Sequence, residues 1–282
     1  MRSELSTCDV RRRTGLGGGG LAFALIAAWA LLLPASPSAA GVCGDDVGGV
    51  RVACACGDTV VSNTVLSATD PVVSQPCAGD GLLLAAAQGA DGLVLELTGL
   101  SLVGSGKGIG LRVLRGGAGG AVIIGGDGDT RASIARFRTG VAGVGSNVIR
   151  EIRNVDLIAN ARDGMQVRSS GMLVESVTAT RNGRDGVRVS GHGSTLTGVE
   201  SDENLGSGLR VGGSGTTVRA RSVGNGSNGA FLTGRGHDLT SSQLSGNGGA
   251  GVMASGRGHN ASGVRIGDNG GGSVAGRQGA VQ

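Results

Sequence analysis

The chain has no tyrosine, one tryptophan and three phenylalanines among its 282 residues. Trp29 and Phe23 fall within the first 40 positions, so Phe137 and Phe231 are the aromatics of everything that follows. Sugar rings are commonly held on aromatic platforms that combine an apolar face with a polar edge. That scarcity weighs against tight gripping of that kind, and tyrosine is excluded as a general acid or base. Lysine is nearly absent: Lys107 is the single one, and the remaining basic residues are arginines. There is no long basic run, and from position 41 onward 21 basic minus 19 acidic residues leave a charge of +2. That balance argues against nucleic acid as a partner. The longest apolar run, the 13 residues Leu21 to Leu33, is too short for a comfortable membrane span.

What the chain has in abundance is glycine, 59 residues, and a period. An Asn, three residues, a Gly and then an apolar–variable–apolar triplet recur from Asn160 to Gly272. The asparagines are Asn160, Asn182, Asn204, Asn225, Asn247 and Asn269, at steps of 22, 22, 21, 22 and 22. A constant period in this range signals a stacked array. Within each unit the apolar positions fall two apart, as in Val187 and Val189 or Leu209 and Val211, which is strand alternation. Two further apolar sets keep the period: Val174, Leu196, Val218, Leu239, Ala261, and Ala179, Ser201, Val223, Leu244, Ile266. Three short strands per unit make one turn of a parallel coil. A leucine-rich repeat would need more leucine and better helix formers than Gly, Ser, Thr and Asn. Equivalent positions then stack about 4.8 Å apart, and the asparagines form a ladder of amide hydrogen bonds. Asn is also expected to occupy the left-handed corner.

The phrase Asn182-Gly-Arg-Asp-Gly186-Val-Arg-Val189 resembles the right-handed parallel β-helix repeat family, related in fold to pectate lyases. The resemblance is strong over Asn160 to Gly272 and weaker from Gly92 to Gly140. It implies an all-β, single-stranded, right-handed parallel β-helix of about 22 residues per coil. About eight coils would form a rod near 40 Å long.

Residues 1–40 read as a secretory signal: Arg11, Arg12 and Arg13, the Leu21–Leu33 core, and Ser38-Ala39-Ala40 as the cleavage site. An uncleaved anchor is the alternative, and membrane contact is expected only through this segment. The expected location is secreted, periplasmic or cell surface. Residues 41–92 form an expected stapled cap and first coil, and 93–282 the coil itself, regular from 152 to 272. Cys43, Cys54, Cys56 and Cys77 make an even count after a signal segment, pointing to two disulfides. Three pairings are open; Cys43–Cys54 with Cys56–Cys77 is the expected one. Their spacing does not match zinc sites. Secreted β-helix proteins resemble this region in the Cys56–Thr59 phrase and in Gly79–Gly81.

Several residues are candidates for function. Gly104-Ser-Gly-Lys-Gly108 lacks the Ser or Thr and the helix of a phosphate loop. Gly125-Gly-Asp-Gly-Asp129 offers Asp127 and Asp129 to calcium, the one cofactor the motifs suggest. His237 and His259 are a period apart and should stack. Gly191-His192-Gly193 resembles a polygalacturonase phrase, but the paired acids of those enzymes are missing. A glycan would best lie on an outer face, where side chains of successive coils align. The expected outward sets are Gln166, Arg188, Arg210, Phe231 and Met253 on the first strand, and Arg153, Glu175, Thr197, Arg219, Thr240 and Ser262 on the second. On the third they are Asp156, Thr178, Glu200, Ser222, Gln243 and Arg265. The leading expectation is a scaffold binding a polysaccharide or another extended surface ligand without chemistry. The alternative is a lyase or C5-epimerase of uronic-acid polymers, with Arg153, Glu175 and Arg219 as the catalytic trio.

Overall fold

The computed structural model describes residues 40–85, 92–114, 119–145 and 147–276. The signal segment expected over residues 1–40 lies outside them but for its last residue. The described chain is a parallel β-solenoid of roughly 22 residues per turn with almost no helix. Its single helical turn is Pro71–Ser74. Three strands per coil stack into three faces. Face 1 is an 11-stranded sheet running from Val42–Cys43 to Val274–Gly276. Face 2 includes Leu93–Glu96, Ile149–Arg153, Leu173–Glu175 and Asp238–Thr240. Face 3 includes Ala132–Ala135, Val155–Ile158, Thr178–Thr180 and Gln243–Ser245. Equivalent strands of successive coils pair in parallel, as in Val187↔Leu209 and Leu209↔Ala230.

Alternation along each strand turns one set of side chains inward. Met165, Val187, Leu209, Ala230 and Val252 form a fully buried column on face 1, and Ile152, Val174, Leu196, Val218 and Leu239 another on face 2. Apolar burial is worth about 25 cal/mol per Å². A single coil buries little, so the core exists only because coils stack.

Between faces 3 and 1 runs the asparagine ladder. Each Asn Nδ2 donates to the Oδ1 of the Asn one coil on, at 3.0 Å from Asn160 to Asn182 and 2.9 Å at the four later steps. Each Oδ1 also accepts the backbone N–H of the preceding Asn. The remaining Nδ2 proton goes to a strand carbonyl, for example Leu157 O from Asn182. Phe137 holds the equivalent place one coil before Asn160, and its N–H starts the ladder on Asn160 Oδ1. The expectation that asparagine takes the left-handed corner is corrected. The residue before it does so: Ala159, Arg181, Glu203, Gly224, Gly246 and Asp268 have φ between 52° and 67°. An Asn at that point would aim its amide outward; one residue later the amide points into the ladder.

The N-terminal end is stapled by disulfides joining Cys43 to Cys54 and Cys56 to Cys77. Buried Asp70 ties this region together, accepting N–H groups of Cys54 and Ser67 and the Arg51 guanidinium. Burial alone would raise its pKa, but these donors outweigh it and hold the carboxyl below its ordinary value.

A second correction concerns register. The apolar pattern puts the one 21-residue step between Val223 and Leu244 on the third strand, with Ser222 outward and Val223 inward. The pairing instead runs Ser201↔Ser222↔Leu244 and Glu200↔Arg221↔Gln243. Ser222 is buried, and its hydroxyl donates to Gly229 O; Arg221 takes the outward place. The missing residue is a corner. Asn154, Ser176, Gly198, Ser241 and Gly263 turn faces 2 into 3 with positive φ, but Thr217–Val223 runs straight through as one strand. Its register slips by one opposite Gly198, between Thr197 and Val199.

Candidate functional site

The outward column of face 1 is Arg112, Ala142, Gln166, Arg188, Arg210, Phe231 and Met253, in unbroken register. Beside it, in the turn that precedes each strand, Arg138, Arg162 and Arg184 stack through their backbones. Arg162 N–H bonds to Arg138 O at 2.7 Å and Arg184 N–H to Arg162 O at 3.0 Å. Arg168 projects two residues beyond Gln166 and is exposed. Seven guanidiniums thus share one stretch of a single face. Two shallow depressions lie among them. One, of about 390 Å³, is lined by Arg112, Arg138, Thr139, Arg162 and Gln166. The other, of about 210 Å³, is lined by Gln166, Arg168, Arg188 and Ser190.

Three carboxylates accompany these arginines. Asp80 pairs with Arg112 at 2.8 Å and Asp185 with Arg210 at 2.8 Å. Asp185 Oδ1 also accepts the N–H of Ser207, which fixes the carboxylate under the face. Arg210 is held from its other side by the Phe231 ring, 4.8 Å from the guanidinium carbon. Asp163 is fully buried one coil before Asp185, and its Oδ2 has no hydrogen-bond partner. The nearest cation, Arg184, is 4.0 Å away. Burial raises the Asp163 pKa above its ordinary value; Arg184 opposes this and the like charge of Asp185 adds to it. Asp163 and Asp185 occupy the place just before the repeated glycine, so the phrase itself sets them side by side.

The expected trio falls in one column of face 2, with Arg153↔Glu175↔Thr197↔Arg219 in register. Arg153 and Glu175 are neighbours, but Arg153 is engaged by Glu151 at 3.2 Å. Arg219 stands two coils beyond Glu175, with Thr197 between. The three do not converge on one point; Arg219 lines a different groove, described below. Asp127 and Asp129 are exposed on their loop. Among the described residues no group of three or more His, Cys, Asp or Glu is placed to hold a metal.

His237 and His259 stack at 5.1 Å with an interplanar angle of 2° and are fully buried. Each Nδ1 accepts a backbone N–H, from Thr216 and from His237, and each Nε2 faces a carbonyl, of Thr233 and of Ser255. Both rings are thus spent on the fold. Burial lowers the His237 pKa, the Thr233 carbonyl opposes this, and His259 lowers it further. His192 is exposed, its Nδ1 2.8 Å from Ser214 Oγ. The face 1 set was legible as an outward column. The turn arginines and the buried aspartates fall outside the outward columns that the period predicts; their signal in the sequence is the repeated Arg-Asp-Gly at 162–164 and 184–186.

No family model matches the chain, and no curated protein matches it significantly. Among solved structures, the A-module of mannuronan C-5 epimerase AlgE4 from Azotobacter vinelandii aligns with 76% of this chain and 69% of its own, at 20% identity and a TM-score of 0.45. The AlgE6 A-module from the same organism aligns with 76% and 68%, at 17% identity and a TM-score of 0.44. ORF18 of Geobacillus virus E2 aligns with 75% of this chain and 50% of its own, at 9% identity and a TM-score of 0.29. These values are too low to transfer the role of any residue; the fold stands on the strand pairing itself.

Proposed function

We propose that this protein is an exported scaffold that binds an extended anionic polysaccharide along face 1. The observation that carries the reading is the run of Arg112, Arg138, Arg162, Arg168, Arg184, Arg188 and Arg210 on one face: Asp80 and Asp185 pair with Arg112 and Arg210, Asp163 stands 4.0 Å from Arg184, and the other four form no ion pair among the described residues. Guanidinium forks match carboxylate and sulfate geometry. Successive coils repeat them about every 4.8 Å, comparable to the advance per sugar of an extended chain. Gln166 and Ser190 supply neutral partners for hydroxyls. The lack of aromatic platforms fits a ligand held by charge over many units, each contributing little. Two disulfides fit an oxidising compartment. Among the described residues no helix is long and apolar enough to cross a membrane.

Affinity electrophoresis in gels containing polygalacturonate or neutral dextran tests this. The expected result is retardation by polygalacturonate alone, relieved by salt because exposed charges are screened within about 8–10 Å at moderate ionic strength. An Arg188→Ser/Arg210→Ser variant should bind about tenfold more weakly, a change of about 1.4 kcal/mol. Equal retardation by dextran, or indifference to salt, would overturn it. A second reading, turnover of a uronic-acid polymer, is favoured by one feature: a buried acid with a raised pKa, Asp163, beneath that arginine cluster. Incubation with polygalacturonate and alginate, followed for unsaturated products or changed uronate composition, decides it. Product lost in Asp163→Asn would support chemistry, and no product from either polymer would exclude it for these substrates.

A further inference from the structure

The single short coil leaves a mark on the surface. At the corner between faces 2 and 3, which face 1 does not share, the neighbouring coils carry a protruding turn residue: Gly198 on one side, Ser241 and then Gly263 on the other. The coil of Thr217–Val223 has none. Its corner is cut, and a groove of about 570 Å³ opens over the cut. The floor is formed by buried Val199, Ala220 and Ser242. Ser242 Oγ is occupied, accepting Ala220 N–H at 3.0 Å and donating to Thr240 O. The walls carry Arg219 from face 2, and Glu200, Arg221, Gln243 and Arg265 from face 3. Arg221 is paired with Asp202. Among the described residues Arg219 and Arg265 form no ion pair, so two unneutralised guanidiniums line the groove alongside a single Glu200.

We propose that this groove is a second binding site, specific for one short acidic segment of a glycan, a carboxylated or sulfated sugar unit with its neighbours. The volume falls in the range of small-molecule sites, about 300–1,000 Å³. Two free guanidiniums clamp one anionic group. Glu200 and Gln243 accept and donate to ring hydroxyls. The site does not depend on face 1. A rod with a long charged track on one face and a discrete notch at the far corner would join two glycan chains, which a single-faced binder does not.

The test restores the missing corner. Inserting one glycine between Arg219 and Ala220 returns the coil to the 22-residue period and fills the notch, while every strand keeps its partner. Binding of galacturonate trimer, sulfated galactose trimer and neutral galactose trimer is followed by NMR and calorimetry on the purified protein. The background is Arg188→Ser/Arg210→Ser, so that face 1 is already weakened. The expected result is binding of one or both acidic trimers, the stronger identifying the anionic group, and about tenfold weaker binding after the insertion. The melting temperature of the insertion variant should be unchanged. Arg219→Ser/Arg265→Ser gives the same loss without altering the backbone, and serves if the insertion unfolds the chain. Acidic trimers bound within twofold of the parent by both groove variants, no binding of either acidic trimer by the parent, or equal binding of the neutral trimer would overturn the proposal. Failure of the face 1 reading has a different signature: polygalacturonate retardation that ignores Arg188 and Arg210.

Discussion

Replacing Asn204 by Ala is the sharpest test of how this rod is held together. Asn204 Oδ1 accepts from Asn182 N–H and from Asn182 Nδ2, both at 2.9 Å. Its Nδ2 donates to Ala179 O and Asn225 Oδ1 at 2.9 Å, with Ser201 Oγ at 3.2 Å. The side chain is buried. Alanine therefore orphans two buried donors on Asn182, and leaves Ala179 O and Asn225 Oδ1 each short of one donor. An orphaned buried polar group costs about 1–3 kcal/mol, so the two donors alone put the loss at about 2–6 kcal/mol. Asn269 is the internal control. It closes the ladder, is only half-buried, and satisfies Asn247 in the same way. Water can replace it there, so Asn269→Ala should cost about 1 kcal/mol. Urea unfolding of both variants, with amide exchange to see whether the loss is local or shared along the rod, measures the contrast. A loss below 1 kcal/mol for Asn204→Ala, or equal losses at the two sites, would refute the claim that buried amide pairing stabilises the coil. Asn204→Asp sharpens the test: a carboxylate still accepts from Asn182 but sets its charge against Asn225 Oδ1, so it should be no milder than alanine at neutral pH.

Cleaving Cys56–Cys77, whose cysteines lie 21 apart in sequence, by double substitution to serine should cost about 3 kcal/mol by loop entropy, read as a lower urea midpoint of the N-terminal coils. Gly213 has φ +97° and a Cβ there would strike Gly191 O, whereas Gly215, at φ +62°, faces nearly open space. Gly213→Ala should therefore cost more than about 2 kcal/mol and Gly215→Ala about 1–2 kcal/mol; similar thermal shifts for the two would contradict the packed glycine column. The lowered pKa of His237 makes the unfolded state bind more protons. Its contribution is complete above the unfolded value near 6.5 and is lost as the pH falls; thermal melts from pH 7.5 to 5 should fall less steeply in His237→Asn. Asp163 has the opposite sign: its raised pKa means stability is gained as the pH drops through the folded value towards the ordinary 3.8. Asp163→Asn should therefore raise the melting temperature at neutral pH and flatten its acid dependence.

Stacking of like over like was legible because a parallel coil repeats its demands. An inward column must be apolar at every turn, and the ladder must be asparagine to hand its amide onward. Both constraints write a period into the sequence. The left-handed corner was misplaced onto Asn because propensity and position coincide there only approximately. Ala159, Arg181 and Glu203 take positive φ without being residues that favour it, since the ladder bonds one residue later hold the chain in that turn. Outward side chains carry no such demand, and period alone cannot say which outer face is used. Arg153, Glu175 and Arg219 share a column of charge in the sequence pattern, but a column in register is not a site until its members converge. Arg188 and Arg210 form a surface because Arg138, Arg162, Arg184 and the paired aspartates crowd beside them from the adjoining turn, a neighbourhood set by the fold. The 21-residue step was visible in the asparagine spacing, yet its place within the coil was not. Ser201, Ser222 and Val223 can each be given either face until the pairing is seen. The residue that is missing, rather than any residue present, opened the groove at Arg219 and Arg265. A repeat that departs from its period by one has either shortened a turn without consequence or reshaped a surface, and refilling that one turn with glycine separates the two.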